Sequence, residues 1–239
     1  IPIAIGHDPR EACVYHVCSQ SIIENATQPV CFIPIAQHLM HVDGQRDGTN
    51  QFIYSRYLVP YLQGYEGWAI WMDGDMVVNA DISELWDLRD ESKAVQVVKH
   101  DYKTRSPRKY IGTPIENDNV DYDRKNWSSV VLFNCGHPSN KLLTPEFVER
   151  ATGKLLHRFE WLTDDEIGEL PFEWNHLVGE YDPAEAKLYH HTLGSPGFEH
   201  YRDCESSRDW NEYLLRALRM EGENIWEMVR RAKWHRRAS

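Results

Sequence analysis

The chain has 239 residues, 41% hydrophobic and 12% aromatic, which suits one well-filled α/β core better than two. Its formal net charge of −11 disfavours nonspecific nucleic-acid binding, and its five cysteines, with no Cys-x-x-Cys pair, argue against a disulfide framework or a structural zinc site. No stretch has the length of a membrane span or the pattern of a signal peptide, so a cytoplasmic location is expected.

Ile1 to Gly6 reads as a first strand, closed by the turn His7-Asp8-Pro9-Arg10, with a helix from Glu11 to about Asn25. Val30 to Ile35 reads as a second strand and Asn50 to Leu62 as a second helix, kinked or stopped by Pro60. The apolar run Gly67 to Met72 then ends abruptly in Asp73-Gly74-Asp75. Two hard oxygen donors at a strand end suit a divalent cation bridging the protein to a diphosphate, and the intervening glycine would let a ligand approach the backbone. The same three letters also make an ordinary turn.

Ala94 to Val98 and Val130 to Asn134 are further strands. Strands alternating with helices argue for a mostly parallel sheet flanked by helices. Ligands on such sheets gather at the carboxyl ends of the strands. Asp8, Asp73, Asn134 and His190 each fall at or just past a strand end and are expected to converge. Between Lys99 and Asn126 lies a long polar stretch carrying Lys103, Arg105, Arg108, Lys109, Arg124 and Lys125, either a binding loop or a solvated excursion.

From about Asp209 to Arg237 the chain reads as a helix with apolar Trp210, Leu214, Leu218, Ile225, Trp226 and Val229. Its end, Arg230 to Arg237, carries five positive charges and no negative one. Tryptophan beside arginine suits an anionic membrane surface; a helix packed on the sheet with a solvated basic end explains the same letters.

Several ordered landmarks resemble the retaining glycosyltransferases of family 8, the GT-A-fold group that includes glycogenin and bacterial lipopolysaccharide galactosyltransferases. The strand ending at Gly6-His7-Asp8 looks like the family's nucleotide-binding turn, and Tyr54-Ser55-Arg56-Tyr57-Leu58 like the helix whose arginine reaches the donor. Trp71-Met72-Asp73-Gly74-Asp75 is similar to its metal-binding D-x-D, and Leu132-Phe133-Asn134-Cys135-Gly136 to its F-N-x-G strand. Leu162 to Ile167 resembles the acidic segment facing sugar and acceptor, and Leu188 to Pro196 the late histidine-glycine motif. The resemblance implies a GT-A (Rossmann-like) domain over 1–205 with a helical, basic extension over 206–239.

It further implies a metal at Asp73, Asp75 and His190, a donor site built from His7, Asp8, Arg56, Gly74, Gly194 and Ser195, and catalytic roles for Asn134, Asp164 and Asp165. His190 and His191 are strand neighbours pointing to opposite faces, so only one enters the site. The family pattern, in which the first histidine is followed by an aromatic residue and then Thr-Leu-Gly, favours His190. Mixed oxygen and imidazole ligation leans towards Mn²⁺ over Mg²⁺ and leaves positions for both phosphates. Asp8 can accept a ribose hydroxyl or form an Asx turn ahead of Pro9. Arg56 offers a forked donor to phosphate or carboxylate, or makes a surface salt bridge. Thr163 to Glu166 also fits a helix capping box.

One departure stands out: where the family's late motif usually carries a lysine before its proline, this chain has Ser195 before Pro196, and Gly197-Phe198 replaces its tryptophan. The diphosphate contact is then lost, or supplied by a basic residue of the Lys99–Asn126 loop. The expected activity is transfer of a sugar from a nucleotide diphosphate, UDP by resemblance, to a hydroxyl of a glycan, lipid-linked or protein acceptor. Retention would proceed through a carboxylate nucleophile or, as the resemblance favours, by same-face attack with the leaving phosphate taking the proton. A sugar nucleotidylyltransferase would need a glycine-rich basic loop that His7 to Glu11 does not supply. A non-catalytic nucleotide- or carbohydrate-binding module is the remaining alternative.

Overall fold

The structure is a computed structural model that describes residues 1–36 and 52–219. In chain order it contains β1 (Pro2–Gly6), α1 (Ala12–Asn25), β2 (Cys31–Ile35), α2 (Val59–Leu62), β3 (Trp68–Met72), β4 (Met76–Val78), α3 (Ile82–Trp86) and β5 (Val95–Val97). Beyond these come β6 (Arg108–Lys109), β7 (Asn117–Asp118), β8 (Val130–Asn134), α4 (Pro145–Arg150), α5 (Gly153–His157), β9 (Ile167–Glu169), β10 (His176–Leu177), β11 (Leu188–His190) and α6 (Ser207–Ala217).

A six-stranded sheet in the order β2-β1-β3-β8-β5-β9 forms the centre. β1 runs parallel to β2 and β3, and β5 parallel to β9, while β8 runs against both its neighbours. This is the expected α/β architecture with a mostly parallel sheet. Side chains alternate between two apolar layers: Ala4, Trp71, Val131 and Phe133 face one, and Ile3, Ile5, Ile70, Met72 and Leu132 the other. Burial on both faces explains why these strands read as continuous apolar runs. A small second sheet, β10-β11-β4, sits at one end and carries β11 antiparallel to β4.

The second helix and the C-terminal helix differ from the sequence expectations. Residues 50 and 51 of the second expected helix lie outside the described residues. Its remainder is a 3₁₀ turn over Ser55–Leu58 and then α2, with Pro60 in its first turn. Pro60 therefore opens a helix instead of stopping one, because a first-turn N–H has no intrahelical partner to lose. The C-terminal helix is described as α6, whose Trp210 and Tyr213 pack with Val14 and Val17 of α1. Ile225, Trp226, Val229 and the basic end lie outside the described residues. Among the described residues no helix is long and apolar enough to cross a membrane.

The Lys99–Asn126 stretch is not a free excursion. It holds the β6–β7 hairpin and is tied down by buried polar contacts. Lys125 Nζ donates to Asn119 Oδ1 at 2.6 Å, Asn119 Nδ2 donates to Glu180 at 2.6 Å, and the Arg105 N–H donates to Glu180 at 2.7 Å. The Tyr110 N–H donates to the Leu193 carbonyl at 2.7 Å, fastening the loop to the segment after β11.

Candidate active site

β3 is buried at every position and delivers Asp73 to the edge of the sheet. The Asp73 N–H donates to the Ser129 carbonyl at 2.9 Å, so the chain stays beside β8 for one residue more. A Cβ on Gly74 would lie 2.4 Å from the Gly6 carbonyl oxygen. The glycine thus serves a close approach by the protein's own backbone. After this turn β4 pairs with β11, with His190 opposite Met76, which carries the late histidine back over the two aspartates.

His190 Nε2 lies 3.3 Å from Asp75 Oδ1 and 4.0 Å from Asp73 Oδ2. One ligand atom from each of Asp73, Asp75 and His190 falls within 4.8 Å of the others. Behind the imidazole, buried Asn175 donates its amide N–H to Ser129 Oγ at 2.8 Å, which turns its Oδ1 towards His190 Nδ1 at 3.2 Å. A proton on Nδ1 satisfies that contact and frees the Nε2 lone pair for a cation; without a cation, a proton on Nε2 lets the ring donate to Asp75. Asp75 Oδ1 is buried without an aligned hydrogen-bond donor, and Asp73 Oδ1 has only the ion pair with Arg56. Three lone-pair atoms converging away from water are unfavourable alone and favourable around a divalent cation, so the residues present fit one.

Two basic residues complete the surroundings. Arg56 Nη1 is 2.8 Å from Asp73 Oδ1 and donates to the Ser128 carbonyl at 2.7 Å. Lys109 Nζ, from β6, donates to Thr192 Oγ1 at 2.7 Å. Burial pushes the Asp75 carboxyl up, but His190 and Lys109 outweigh it and hold the group below its ordinary value. Asp73 is raised by burial and by the Asp75 charge, against the pull of Arg56. Burial lowers Lys109, against Asp75. Glu11 lies buried near this cluster, pushed up to about 9 by burial and by Asp75 and Asp8.

Asp73, Asp75, His190, Arg56 and Lys109 line a cavity of about 350 Å³, the size of a small-molecule site. His191 points the other way: its Nε2 meets Ser206 Oγ at 3.0 Å, and burial pushes its imidazole down to about 4. The alternation expected of neighbouring strand residues is therefore present, with His190 beside the carboxylates.

Other expected site residues lie elsewhere. Asn134 pairs across from Trp68, at the opposite end of β3 from Asp73, and donates its side chain to the Lys93 carbonyl at 3.1 Å. β8 is antiparallel, so its amino end, Ser128 and Ser129, reaches the cavity and its carboxyl end points away. Asp164 and Asp165 occupy a 3₁₀ turn ahead of β9, closed by the Thr163–Glu166 capping box. The Asp164 side chain is 85% exposed and paired with Arg124, while the Asp165 carbonyl accepts from Lys93 Nζ. Neither belongs to the described wall of the cavity.

Asp8 makes the Asx turn: it accepts from the Arg10 N–H and from Arg10 Nε, both at 2.9 Å. The His7 N–H donates to Ile35 and its ring sits edge-on to Tyr15. Gly194, at φ 150°, would place a Cβ 2.4 Å from the Tyr201 ring, and Ser195 is buried beside it. His7, Asp8, Gly74, Gly194 and Ser195 are not in the described wall of the cavity; Arg56 is. Asn175, Ser128, Ser129, Thr192 and His157 are the residues that sequence reasoning missed. Only the Trp127-Ser128-Ser129 lead-in to an apolar strand gave a signal, readable once the strand direction is known.

The model of "Glycosyl transferase family 8" matches residues 16–136 of the chain. The chain is 44% identical over 221 residues to "Protein CDI" of Arabidopsis thaliana, covering 87% of this chain and 83% of that protein. The bifunctional glycosyltransferase WbbM in its apo form is similar in structure, with TM-score 0.64 at 15% identity over 96% of this chain. The chain spans 50% of the length of that WbbM chain. The glycosyltransferase GlyE of Streptococcus pneumoniae gives TM-score 0.56 at 13% identity, covering 90% of this chain and 60% of that one. A galactosyltransferase, LgtC, solved with donor and acceptor sugar analogues, gives TM-score 0.57 at 12% identity, covering 93% of this chain and 98% of that one.

Proposed function

This chain belongs to glycosyl transferase family 8 and is a glycosyltransferase of GT-A fold, and from that premise we propose that it transfers a sugar from a nucleotide diphosphate, UDP, to a hydroxyl acceptor with retention of configuration. Asp73, Asp75 and His190 would hold the divalent cation, Mn²⁺ or Mg²⁺. The observation that carries this reading is the convergence of those three buried ligand atoms beside Arg56 and Lys109 in one cavity.

When bound, the cation supplies positive charge to the departing diphosphate. Arg56 presents a forked donor and Lys109 a compact one to the phosphate oxygens. Lys109 takes the place of the lysine missing before Pro196: it arrives from the long loop and is steadied by Thr192 two residues past His190. Asn175 holds the His190 ring with its lone pair towards the carboxylates.

Among the described residues, the carboxylates lining the cavity are Asp73 and Asp75, both assigned to the cation. No third carboxylate there is free to form a glycosyl ester, which favours same-face attack: the acceptor oxygen bonds to the anomeric carbon as the phosphate leaves and takes the acceptor's proton. The catalytic unit is taken as 1–205 with 206–239 as its extension. The acceptor is a hydroxyl of a glycan, a lipid-linked sugar or a protein. Contact of the basic end with an anionic membrane rests on residues outside those described.

The test is calorimetric titration of UDP and GDP, each with Mn²⁺ and with chelator, using Asp75→Asn as control. Mn²⁺-dependent binding of UDP that the variant loses is the expected result. Binding of neither nucleotide, or binding indifferent to chelator, overturns the reading.

A further inference from the structure

His157, the last residue of α5, lines the cavity beside Lys154 and Arg158. Its Nδ1 lies 2.9 Å from the Tyr57 hydroxyl and 3.0 Å from Ser128 Oγ. Its Nε2 is shielded from solvent and has no hydrogen-bond partner among the described residues. A buried imidazole nitrogen left without a partner in the wall of a binding cavity calls for a ligand atom.

The two hydroxyls decide which nitrogen carries the proton. Ser128 Oγ lies 3.5 Å from Arg56 Nη1, a group that only donates. The Ser128 and Tyr57 hydroxyls also bond to each other, so one donates to the other and the second donates to Nδ1, whose single lone pair takes one proton. A proton on Nδ1 would leave one of the two hydroxyl protons with no acceptor among the described residues and Nε2 as a bare lone pair. With Nδ1 accepting, the neutral ring carries its proton on Nε2. Burial and the Arg56 charge push the imidazole down to about 3, so this neutral form persists through neutral pH.

We infer that His157 is a specificity-determining residue whose Nε2–H donates a hydrogen bond to a hydroxyl of the transferred sugar, a role that rests on the nucleotide-sugar reading above. A neutral donor suits a hydroxyl, whereas the phosphate oxygens are met by the cationic Arg56 and Lys109. The surrounding wall agrees. Ile53 and the bare backbone of Gly153 line the same cavity, while the buried Tyr54 and Tyr57 rings back the imidazole at 6.4 Å and 5.6 Å. Such a surface accommodates the C–H face of a pyranose. A sugar lacking the matching hydroxyl would leave Nε2–H buried and unpaired, a loss of about tenfold or more.

Two measurements test this. The first is nitrogen-15 NMR of the imidazoles at neutral pH, with His157 assigned through His157→Gln; the Nε2–H tautomer is expected, and a proton on Nδ1 or an imidazolium overturns the inference without any nucleotide present. The second titrates UDP and a panel of UDP-hexoses, with Mn²⁺, into wild type, His157→Gln, His157→Asn and His157→Phe. Glutamine keeps an N–H near the Nε2 position, whereas asparagine keeps only the acceptor near Nδ1.

The expected result is that Asn and Phe lose about tenfold or more in affinity for the UDP-hexose the wild type prefers, leave UDP unchanged, and that Gln stays close to wild type. Asn behaving as wild type while Gln is weakened would mean that His157 only holds Tyr57 and Ser128. Equal weakening of UDP and UDP-hexose would assign it to the phosphates, and four proteins binding alike would leave it no role; each overturns the inference alone. Wild type binding neither UDP nor any UDP-hexose overturns the nucleotide reading and this role with it.

Discussion

The backbone N–H of His191 donates to the Asp75 carbonyl at 2.9 Å, and its ring Nδ1 lies 3.3 Å from the same oxygen. The histidine that faces away from the cavity thus fixes the backbone of the carboxylate that faces into it. This contact joins two motifs distant in the chain and brings His190 within 3.3 Å of Asp75.

Asp73→Asn and Asp75→Asn should each abolish transfer and Mn²⁺-dependent nucleotide binding. Asp73→Asn removes a carboxylate whose charge burial disfavours, so its thermal midpoint in chelator should stay near that of wild type, whereas Asp75→Asn removes one that His190 and Lys109 favour and should lower the midpoint. Turnover retained by both variants would remove Asp73 and Asp75 from the metal assignment.

Lys109→Met keeps the length of the side chain and deletes the charge. Loss of a charge-assisted hydrogen bond to phosphate, worth about 1.5–3 kcal/mol, corresponds to roughly ten- to hundredfold weaker UDP binding. Calorimetry on the variant measures this. Affinity within twofold of wild type would mean that the loop does not replace the missing lysine.

Gly74→Ala drives a methyl group into the Gly6 carbonyl oxygen, a backbone atom that cannot swing aside. Overpacking of this kind costs about 1–3 kcal/mol. The expected signature is a lower thermal midpoint with chelator present as well as with Mn²⁺. A variant as stable as wild type would show that β1 and the Asp73–Asp75 turn separate freely.

His100 gives a pH dependence with a definite sign. A free histidine titrates near about 6.5. Burial, and then the neighbouring His190 and His176, push the folded group down to about 3. Between those values the unfolded chain binds the proton and the folded one does not. The stability contributed by neutral His100 is therefore full above pH ~6.5 and is lost as pH falls towards ~3. His100→Phe should flatten the acid limb of urea midpoints between about pH 4 and 6, and an unchanged slope would contradict the burial argument.

Asn134→Ala and Asp164→Asn separate position from motif. Both should leave Mn²⁺-dependent UDP binding within a few-fold of wild type. Asn134→Ala alone should lower the thermal midpoint, because it removes a part-buried hydrogen bond to Lys93. Loss of metal-dependent binding in either variant would restore it to the site.

The sheet and the opposite facing of His190 and His191 were legible from local patterns, apolar runs of strand length and strand alternation, whereas the choice of His190 as partner of Asp73 and Asp75 came from the family resemblance. Asn134 was misplaced because strand direction is a long-range property. The rule that ligands collect at carboxyl ends holds for β3 but inverts for β8. Asp164 and Asp165 rested on the resemblance alone; their turn precedes β9, and neither is in the described wall of the cavity. Asn175 and His157 carried no local signal at all. Their roles arise only when a side-chain amide or hydroxyl from another element supplies the second half of the contact.

The reversed direction of β8 has a further consequence. β5 leaves the sheet, and β8 enters it, at the edge where Asp73 lies. The chain between them therefore begins and ends on the side of the cavity, and its contacts with Glu180, Leu193 and Tyr201 fasten it in between. Lys109, Tyr110 and Tyr122, which help to wall the cavity, all ride on it. One span of chain thus carries several cavity-wall residues, and changes to it that keep those anchors reshape the cavity without moving a central strand.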